Sequence, residues 1–445
     1  MTRSFSRMAF AMAALGLSLS AANAADPVPP EGFTALFNGK DFTNFKGWSI
    51  HEKGGSPIDL AKLTPEERQK KFDAWTENMK QTWTIDNGEL VNKGKGAYLT
   101  SVKDYADYEL LVEYKITATV DSGIYPKTMP QIQVWDPEQA DPAGLGKALG
   151  SGGLWNNPKG SPGRDPIAKA DLPAGQWNKF RILNVGERIS ISLNDKLVVD
   201  HARLQNFWDK KSPSPKAAPF LLQTHGPELE IRWKNIFVRE ISASEANAYL
   251  AKKSTEGFTS IFNGKDFEGW QGATANYEVV DGAIRCQKGK GGVLYTKAEY
   301  ADFQVALEFK LPKNGNNGLA IRYPGKGDTA YDGMCELQVL DEKYEEVTKS
   351  KLDPRQVHGS AYGMLAAQRG YQRPAGEWNF QEVTVKGSRI KVELNGTIIL
   401  DGDVSQVKDL MANSPHPGKD RVSGHFGFAG HNDPVSFRNI RIKRL

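Results

Sequence analysis

The amino-acid sequence predicts an all-β protein built from two tandem antiparallel β-sandwiches of the jelly-roll kind. Three observations carry this prediction. Runs of alternating apolar and polar residues, as at 108–116 and 303–311, are typical of strands buried on one face. Turns rich in Gly, Asn and Asp separate such runs, and helical periodicity is almost absent. A set of motifs also occurs twice in the same order, which indicates a duplicated domain.

The duplication begins at the hexapeptide Phe-Asn-Gly-Lys-Asp-Phe, which occurs at 37–42 and again at 262–267. Other pairs follow in fixed order: Gly-Lys-Gly at 94 and 289, Tyr-Ala-Asp at 105 and 300, Trp-Asn at 177 and 378, and Asn-Ile at 235 and 439. We predict a first domain over 32–241, a linker over 242–256 and a second domain over 257–445. Each domain is long enough to enclose its own hydrophobic core.

Two helices interrupt this pattern. The first copy carries an insertion between Trp48 and Trp83, where Thr64 is a helix N-cap, Pro65 takes the first helical position and good helix formers continue to Lys80. The linker combines a serine cap with helix formers over 244–253. Elsewhere, turns such as 86–88 and 281–282 join short strands into hairpins.

Residues 1–24 have the pattern of a secretory signal peptide. Two arginines precede an apolar run over 8–19, and Ala-Asn-Ala at 22–24 supplies a small-residue cleavage site. A single anchoring helix is the alternative, but this run is shorter than the ~20 residues that a bilayer span requires. We expect cleavage near Ala24 and a secreted or periplasmic protein that has no membrane association after removal of the signal.

Composition narrows the partners. The net charge of +4 moves closer to neutral once the two arginines of the signal are removed, and no basic tract interleaved with aromatic residues remains. An uncharged partner is therefore favoured over a nucleic acid. Cys286 and Cys335 lie outside any Cys-x-x-Cys motif, and in an oxidising compartment they either pair or stay as buried thiols. The oligomeric state is not specified by the sequence.

The ordered motifs resemble the 3-keto-disaccharide hydrolase family over nearly the whole chain, twice. The resemblance implies a concanavalin-A-like jelly roll in each copy and a central signature of a Ser-Gly-Ile strand that ends in Arg. The first copy has Ser-Gly-Ile at 122–124 and ends in Lys127, whereas the second has Asn-Gly-Leu at 317–319 and ends in Arg322. Lys127 lacks the bidentate fork of an arginine. The family's usual histidine corresponds to His225, with His431 in the second copy.

Polar residues at i and i+2 of a strand share one face, so Gln131 and Gln133, like Glu336 and Gln338, point the same way. A solvated face is the simpler explanation of each pair alone. Because a cation, amides or a carboxylate and a histidine recur in both copies, we expect a sugar site. The candidate catalytic residues are His225, His431, Glu336, Arg322 and Lys127. The candidate substrate-binding residues are Tyr125, Gln131, Gln133, Trp135, Asp136, Trp155, Asn156, Gln338, Asp341 and Tyr362.

The resemblance implies cleavage of the glycosidic bond of a 3-keto sugar. Its ketone acidifies the hydrogen at carbon 2, so a general base can start an elimination that water addition completes. Such chemistry uses an acid, a base and a group that polarises the keto oxygen, here Arg322 or Lys127. Alternatives are a non-catalytic, lectin-like carbohydrate-binding protein, or one catalytic and one binding copy. No cofactor is specified; carboxylates such as Asp136 and Asp341 would hold loops or a Ca²⁺ or Mg²⁺ ion.

Overall fold

The computed structural model describes residues 26–226 and 228–445, so the predicted signal peptide at 1–24 lies outside the described residues. Within these ranges the chain forms four antiparallel sheets, which pack as two sandwich bodies joined by a helix. The predicted all-β class with two jelly-roll bodies, a helical insertion and a helical linker is thereby confirmed.

The first body contains strands β1 to β13. In chain order they are Thr34–Ala35, Phe45–Trp48, Trp83–Asp86, Glu89–Asn92, Tyr98–Ser101, Tyr108–Ile116, Asp121–Tyr125, Ile132–Trp135, Asn178–Val185, Arg188–Leu193, Lys196–Arg203, Leu221–Leu222 and Ile231–Glu240. One sheet has the order β11-β10-β9-β6-β13-β4-β3, with β1 on β13, and the other has the order β2-β5-β12-β7-β8.

The second body repeats this architecture with strands β14 to β26. They are Thr259–Ser260, Trp270–Gly272, Tyr277–Val280, Ala283–Cys286, Gly291–Tyr300, Phe303–Lys310, Asn316–Tyr323, Cys335–Leu340, Trp378–Lys386, Arg389–Leu394, Thr397–Asp403, Gly424–His431 and Ser436–Arg444. Its sheets have the orders β16-β17-β26-β19-β22-β23-β24, with β14 on β26, and β15-β18-β25-β20-β21. The smaller sheet of each body is the one that carries the candidate site.

Each body has its own core because one face of every long strand is apolar. In β6, for example, Leu110, Val112 and Tyr114 are buried between the two sheets, and Val305, Leu307 and Phe309 are the corresponding residues of β19. The same alternation that predicted strands therefore also places the core.

The insertion of the first copy folds into helices α1, Pro57–Leu60, and α2, Pro65–Thr82. Helix α2 begins with a capping box in which Thr64 and Glu67 each accept a hydrogen bond from the other residue's backbone N–H. Trp75 and Met79 anchor the helix on the first core. The predicted helix is confirmed, and the shorter α1 was not predicted. A further short helix, α4, spans Tyr344–Thr348 in the second body.

The linker helix α3, Ala243–Ala251, is packed between the two bodies. Tyr249 and Leu250 join Val185 of the first copy and Phe380 of the second in one small buried cluster. Across the same junction, Arg188 Nε donates to Glu393 Oε1 at 2.8 Å. The two copies are thus held together by an apolar contact and a partly buried ion pair.

Cys286 and Cys335 are both buried and both free, so the alternative of two buried thiols is the one found. In the described ranges, no helix is long and apolar enough to cross a membrane.

Candidate active site

Equivalent hairpins of the two copies carry the polar side chains. In the first copy this hairpin is β7-β8, and in the second it is β20-β21, where Ala320 pairs with Glu336 and Gly318 with Gln338. Apolar residues of these strands, such as Ile132 and Leu337, point into the cores. The alternating polar residues therefore share the opposite face, as the sequence predicted.

A glycine in each hairpin makes room for the key side chain. A Cβ built on Gly318 would lie 2.2 Å from Glu336 Oε1, and one built on Gly123 would lie 2.4 Å from Gln131 Nε2. The side chain of the neighbouring strand folds directly over the glycine Cα. This close approach explains why both signatures contain a glycine at that position.

Glu336 and His431 form an acid–base pair in the second copy. Glu336 is 4% exposed, and its Oε2 accepts a short hydrogen bond from the hydroxyl of Thr329. Its Oε1 lies 3.4 Å from His431 Nε2, and the imidazole side chain remains 47% exposed. Hydrogen bonding to Glu336 raises the pKa of His431 against the opposing effect of burial. The pair therefore joins a buried carboxylate to an imidazole that solvent and ligands can reach.

Aromatic and amide side chains surround this pair. The rings of Tyr331 and Tyr362 meet edge to face at 6.5 Å, and the backbone N–H of Tyr362 donates to Glu336 O at 2.9 Å. His416 packs on Tyr331 at 4.8 Å between ring centroids. Gln338 Nε2 donates to an asparagine side chain, whereas Gln338 Oε1 is a buried acceptor with no partner among the described residues. A bound hydroxyl would satisfy such an atom.

The first copy replaces the carboxylate with a closed amide network. Gln131 Nε2 donates to Ser122 O at 2.9 Å and to Gln223 Oε1 at 2.8 Å, while Gln131 Oε1 accepts from the hydroxyl of Tyr125 at 3.1 Å. Gln223 Nε2 in turn donates to the hydroxyls of Tyr125 and Tyr98. Because Gln131 is 4% exposed and fully bonded, this copy holds a neutral network where the second copy holds a carboxylate.

Two histidines lie at the mouth of that network. His51, from the insertion, is 3.2 Å from the Tyr125 hydroxyl and packs against Trp208 at 5.6 Å. Burial, together with the nearby His225, lowers the pKa of His51. His225 is exposed and occupies the strand-end position that His431 takes in the second copy. The first copy thus has histidines and aromatic rings but no buried carboxylate at this position.

A tryptophan corner extends the first site. Trp135 and Trp155 meet edge to face at 5.2 Å, and the guanidinium of Arg164 lies 3.9 Å from the Trp155 ring centroid. Asn156 Oδ1 accepts from the backbone N–H of Gln131 at 2.8 Å. Gln133 Nε2 donates to Asp121 Oδ1 at 2.6 Å. The structure therefore brings these predicted binding residues together around the β7-β8 hairpin.

Comparison with known proteins identifies the family to which both copies belong. The model of the 3-keto-alpha-glucoside-1,2-lyase-like domain matches residues 32–239 and again 257–443. The chain belongs to this family. Each of the two 3-keto-alpha-glucoside-1,2-lyase-like domains thus contains its own copy of the hairpin described above, β7-β8 in the first and β20-β21 in the second.

Individual proteins are similar to parts of the chain at lower identity. The chain is 27% identical over 248 residues to a 3-keto-disaccharide hydrolase of Bacteroides thetaiotaomicron. The aligned region covers 47% of this chain and 86% of the relative. A solved structure from Parabacteroides distasonis, described as a candidate glycosyl hydrolase, is 27% identical with a TM-score of 0.38, covering 44% of this chain and 96% of that one. The carbohydrate-binding module CBM66 of Bacillus subtilis is 13% identical with a TM-score of 0.28, covering 39% and 95%.

Two predicted catalytic residues of the lyase-like domains need correction. Lys127 and Arg322 are 1% and 2% exposed. Lys127 Nζ donates to Gly186 O at 2.9 Å and to Lys216 O at 3.0 Å, and burial lowers its pKa to about 8. Arg322 is bonded to three backbone carbonyls and to an aspartate. Because both side chains are buried and bonded to backbone carbonyls of the fold, we assign them a structural role and not the polarisation of a keto oxygen.

The two predicted aspartates hold loops. Asp136 accepts from the backbone N–H groups of Thr119 and Glu138, and Asp341 accepts from those of Asn314 and Lys343. In the described part of the chain, no group of three or more His, Cys, Asp and Glu side chains is arranged to hold a metal ion. The loop-holding alternative is the one that these contacts support.

Several residues of the sites were not identified from the sequence. His51 and Trp208 have no counterpart in the repeat, because the insertion and the loop that carry them differ between the copies. Thr329, Tyr331 and His416 lie in loops for which no strand period assigns a direction. Gln223 alone had a usable signal, since it lies two residues before His225.

Proposed function

We propose that the protein is an exported hydrolase that cleaves the glycosidic bond of 3-keto sugars, with the second copy catalytic and the first copy limited to binding carbohydrate. The observation that carries this proposal is the Glu336–His431 pair, whose carboxylate is replaced by the fully bonded amide of Gln131 in the first copy. The family and the Bacteroides thetaiotaomicron relative named as a 3-keto-disaccharide hydrolase support the substrate class.

In the first step, Glu336 acts as the general base. Its carboxylate takes the proton from carbon 2, which the ketone at carbon 3 acidifies, and the electron pair of the C–H bond moves toward the keto oxygen to form an enolate. The bond between carbon 1 and the glycosidic oxygen then breaks, and protonated His431 gives its proton to the leaving oxygen. Thr329 holds the carboxylate in place through its hydroxyl.

Water completes the reaction. The elimination leaves a double bond between carbons 1 and 2, conjugated to the ketone. A hydroxide equivalent adds at carbon 1, its proton returns to His431, and the proton held by Glu336 returns to carbon 2. The sum is hydrolysis, with both side chains restored. Tyr331 and Tyr362 supply apolar ring surface for the sugar beside the pair.

The duplication supplies matched controls for the test. The chain without residues 1–24 is incubated with a 3-keto-disaccharide, and released monosaccharide is measured. Glu336→Gln and His431→Ala are expected to lower kcat by ~10²–10⁴, the usual contribution of general acid–base catalysis. Gln131→Ala and His225→Ala, at the equivalent positions of the first copy, are expected to leave kcat unchanged.

A substrate deuterated at carbon 2 tests the chemistry itself. Rate-limiting proton abstraction predicts a primary isotope effect on kcat. Saturable binding without turnover would favour the lectin-like alternative. A loss of kcat confined to the first-copy variants would mean that the first copy, and not the second, is catalytic.

A further inference from the structure

A cleft lies between the two copies, beside the first site described above. Its volume is about 580 Å³. The first copy contributes Glu187, Arg203, Gln205 and Phe207, and the second contributes Gln368 and the outer edge of β24. Neither copy alone forms this space, because its two walls belong to different domains.

One wall of the cleft contains a buried polar pair with unused capacity. Glu187 is 2% exposed, and its Oε1 accepts from the backbone N–H of Ser214 at 2.7 Å. Its Oε2 lies 3.5 Å from Arg203 Nε. Both atoms are buried, and neither has a hydrogen-bond partner among the described residues. Buried polar atoms of this kind are rare in folded proteins, and they are expected where a ligand or water completes the site.

We infer that this cleft is a second saccharide-binding site, created by the tandem arrangement, that takes a neutral oligosaccharide through its hydroxyl groups. A sugar hydroxyl can accept a hydrogen bond from Arg203 Nε and donate one to Glu187 Oε2 at the same time. Charges of both signs line the cleft, since Lys210 and Lys211 lie beside the carboxylates of Glu187 and Asp401, so the lining does not favour a strongly charged ligand of either sign.

The remaining lining fits the same class of ligand. Phe207 is 42% exposed and offers an apolar ring face, against which the C–H face of a sugar can pack. Gln205 and the exposed Gln368 add amide donors and acceptors from opposite walls. The volume lies in the range of small-molecule sites. Asn156, which also lines the cleft, bonds the backbone of Gln131, so the cleft adjoins the amide network of the first copy.

Isothermal titration calorimetry of the chain without residues 1–24 tests this inference, with maltotriose, cellotriose and kojibiose as probes. These unoxidised sugars lack the ketone on which the proposed reaction depends. We expect saturable binding of at least one probe. Phe207→Ala and Arg203→Ala should weaken it at least tenfold, and Gln368→Trp, which fills the cleft from an exposed position, should abolish it. Val422→Ala, at a 76% exposed site outside the cleft, is the control.

The outcomes separate this inference from the proposed catalysis. Binding that Glu336→Gln leaves intact and the cleft variants remove supports the second site, whatever the turnover assay shows. Absence of saturable heat with all three sugars overturns it. Binding that is insensitive to both Phe207→Ala and Gln368→Trp, or that Glu336→Gln removes, also overturns it, since the sugar then lies elsewhere.

Discussion

Replacing Arg322 with methionine should lower the stability of the second copy without lowering its kcat. Arg322 donates to Ala301 O at 2.8 Å, Gly387 O at 2.8 Å, Arg421 O at 2.7 Å and Asp302 Oδ1 at 2.9 Å. Methionine fills much of the same volume but provides no donor. Removing one partner of a buried, charge-paired network costs ~3–5 kcal/mol. For a domain of this size each kcal/mol shifts Tm by about 2–4 °C, so a drop of about 6–20 °C is expected.

Lys127→Met makes the corresponding change in the first copy. Lys127 Nζ serves two carbonyl groups, and at about 1.5–3 kcal/mol for each hydrogen bond from a charged group the expected loss is comparable, about 3–6 kcal/mol before relaxation. Arg389→Ala is the matched control, because Arg389 makes only a surface pair with Asp401 and its side chain is 60% exposed. We expect that control to leave Tm unchanged.

Differential scanning calorimetry gives the Tm of Arg322→Met and of Lys127→Met. The turnover assay gives kcat per folded molecule, at a temperature below the unfolding transitions of both variants. The structural role predicts a lowered Tm with kcat within about twofold of the unsubstituted protein. A hundredfold loss of kcat in Arg322→Met at unchanged Tm would refute the reasoning, since that result is typical of a group that stabilises an enolate oxygen.

Three further predictions concern pH, the domain junction and the thiols. Glu336 raises the pKa of His431, and His431 loses its proton on the alkaline limb of the plot of kcat against pH. In the residual activity of Glu336→Gln, that limb should therefore move to lower pH. An unmoved limb would contradict the pairing. Arg188→Ala leaves the buried Glu393 without its partner and should lower the free energy of unfolding by ~3–5 kcal/mol. Calorimetry should then show two separate domain transitions. A single unchanged transition would show that the pair does not couple the copies. Burial raises the pKa of both thiols, that of Cys286 to about 11, so a thiol reagent should label them only in denaturant; rapid labelling of the native protein would be inconsistent with the fold.

The sequence could predict the bodies and the shared polar faces because both follow from strand periodicity. Glu336 and Gln338 lie two residues apart on β21 and do share a face. The N-cap at Thr64 gave the start of α2, and the helix formers that continue to Lys80 gave its end to within two residues. Such features depend on local chemistry alone, which is why a repeated pattern was sufficient to locate them.

The direction of Arg322 could not be predicted in the same way. Its φ of 48° lies in the left-handed region, and the pairing of β20 with β25 shifts register between Ala320 and Tyr323. A strand that is interrupted by such a shift loses its two-residue alternation, so the arginine turns into the body instead of toward the site. His51 was missed for another reason, since it comes from an insertion that brings it to the Tyr125 hydroxyl only in three dimensions.

The amide of the first copy provides the sharpest test of how far the copies have diverged. Gln131→Glu would give the first copy the carboxylate that the second copy uses. Gln131 Nε2 now donates to two acceptors, Ser122 O and Gln223 Oε1. The Gln223 amide can rotate and present its nitrogen to the new carboxylate, but the backbone carbonyl of Ser122 cannot. A buried oxygen would therefore face another oxygen, at a cost of ~1–3 kcal/mol for the unsatisfied group.

We consequently expect Gln131→Glu to lower the stability of the first copy and to create no activity there. The measurement is turnover in a His431→Ala background, where the second copy is already impaired, with Gln131→Met as a neutral variant that removes the amide without adding charge. Turnover restored by Gln131→Glu would mean that the first copy is a dormant active site needing only a carboxylate. Turnover that is not restored, together with a lower Tm, would mean that a carboxylate alone does not make the first copy catalytic. The neutral network of Tyr125 and its amide partners then has a structural role, in which it holds the sheet face in place for binding.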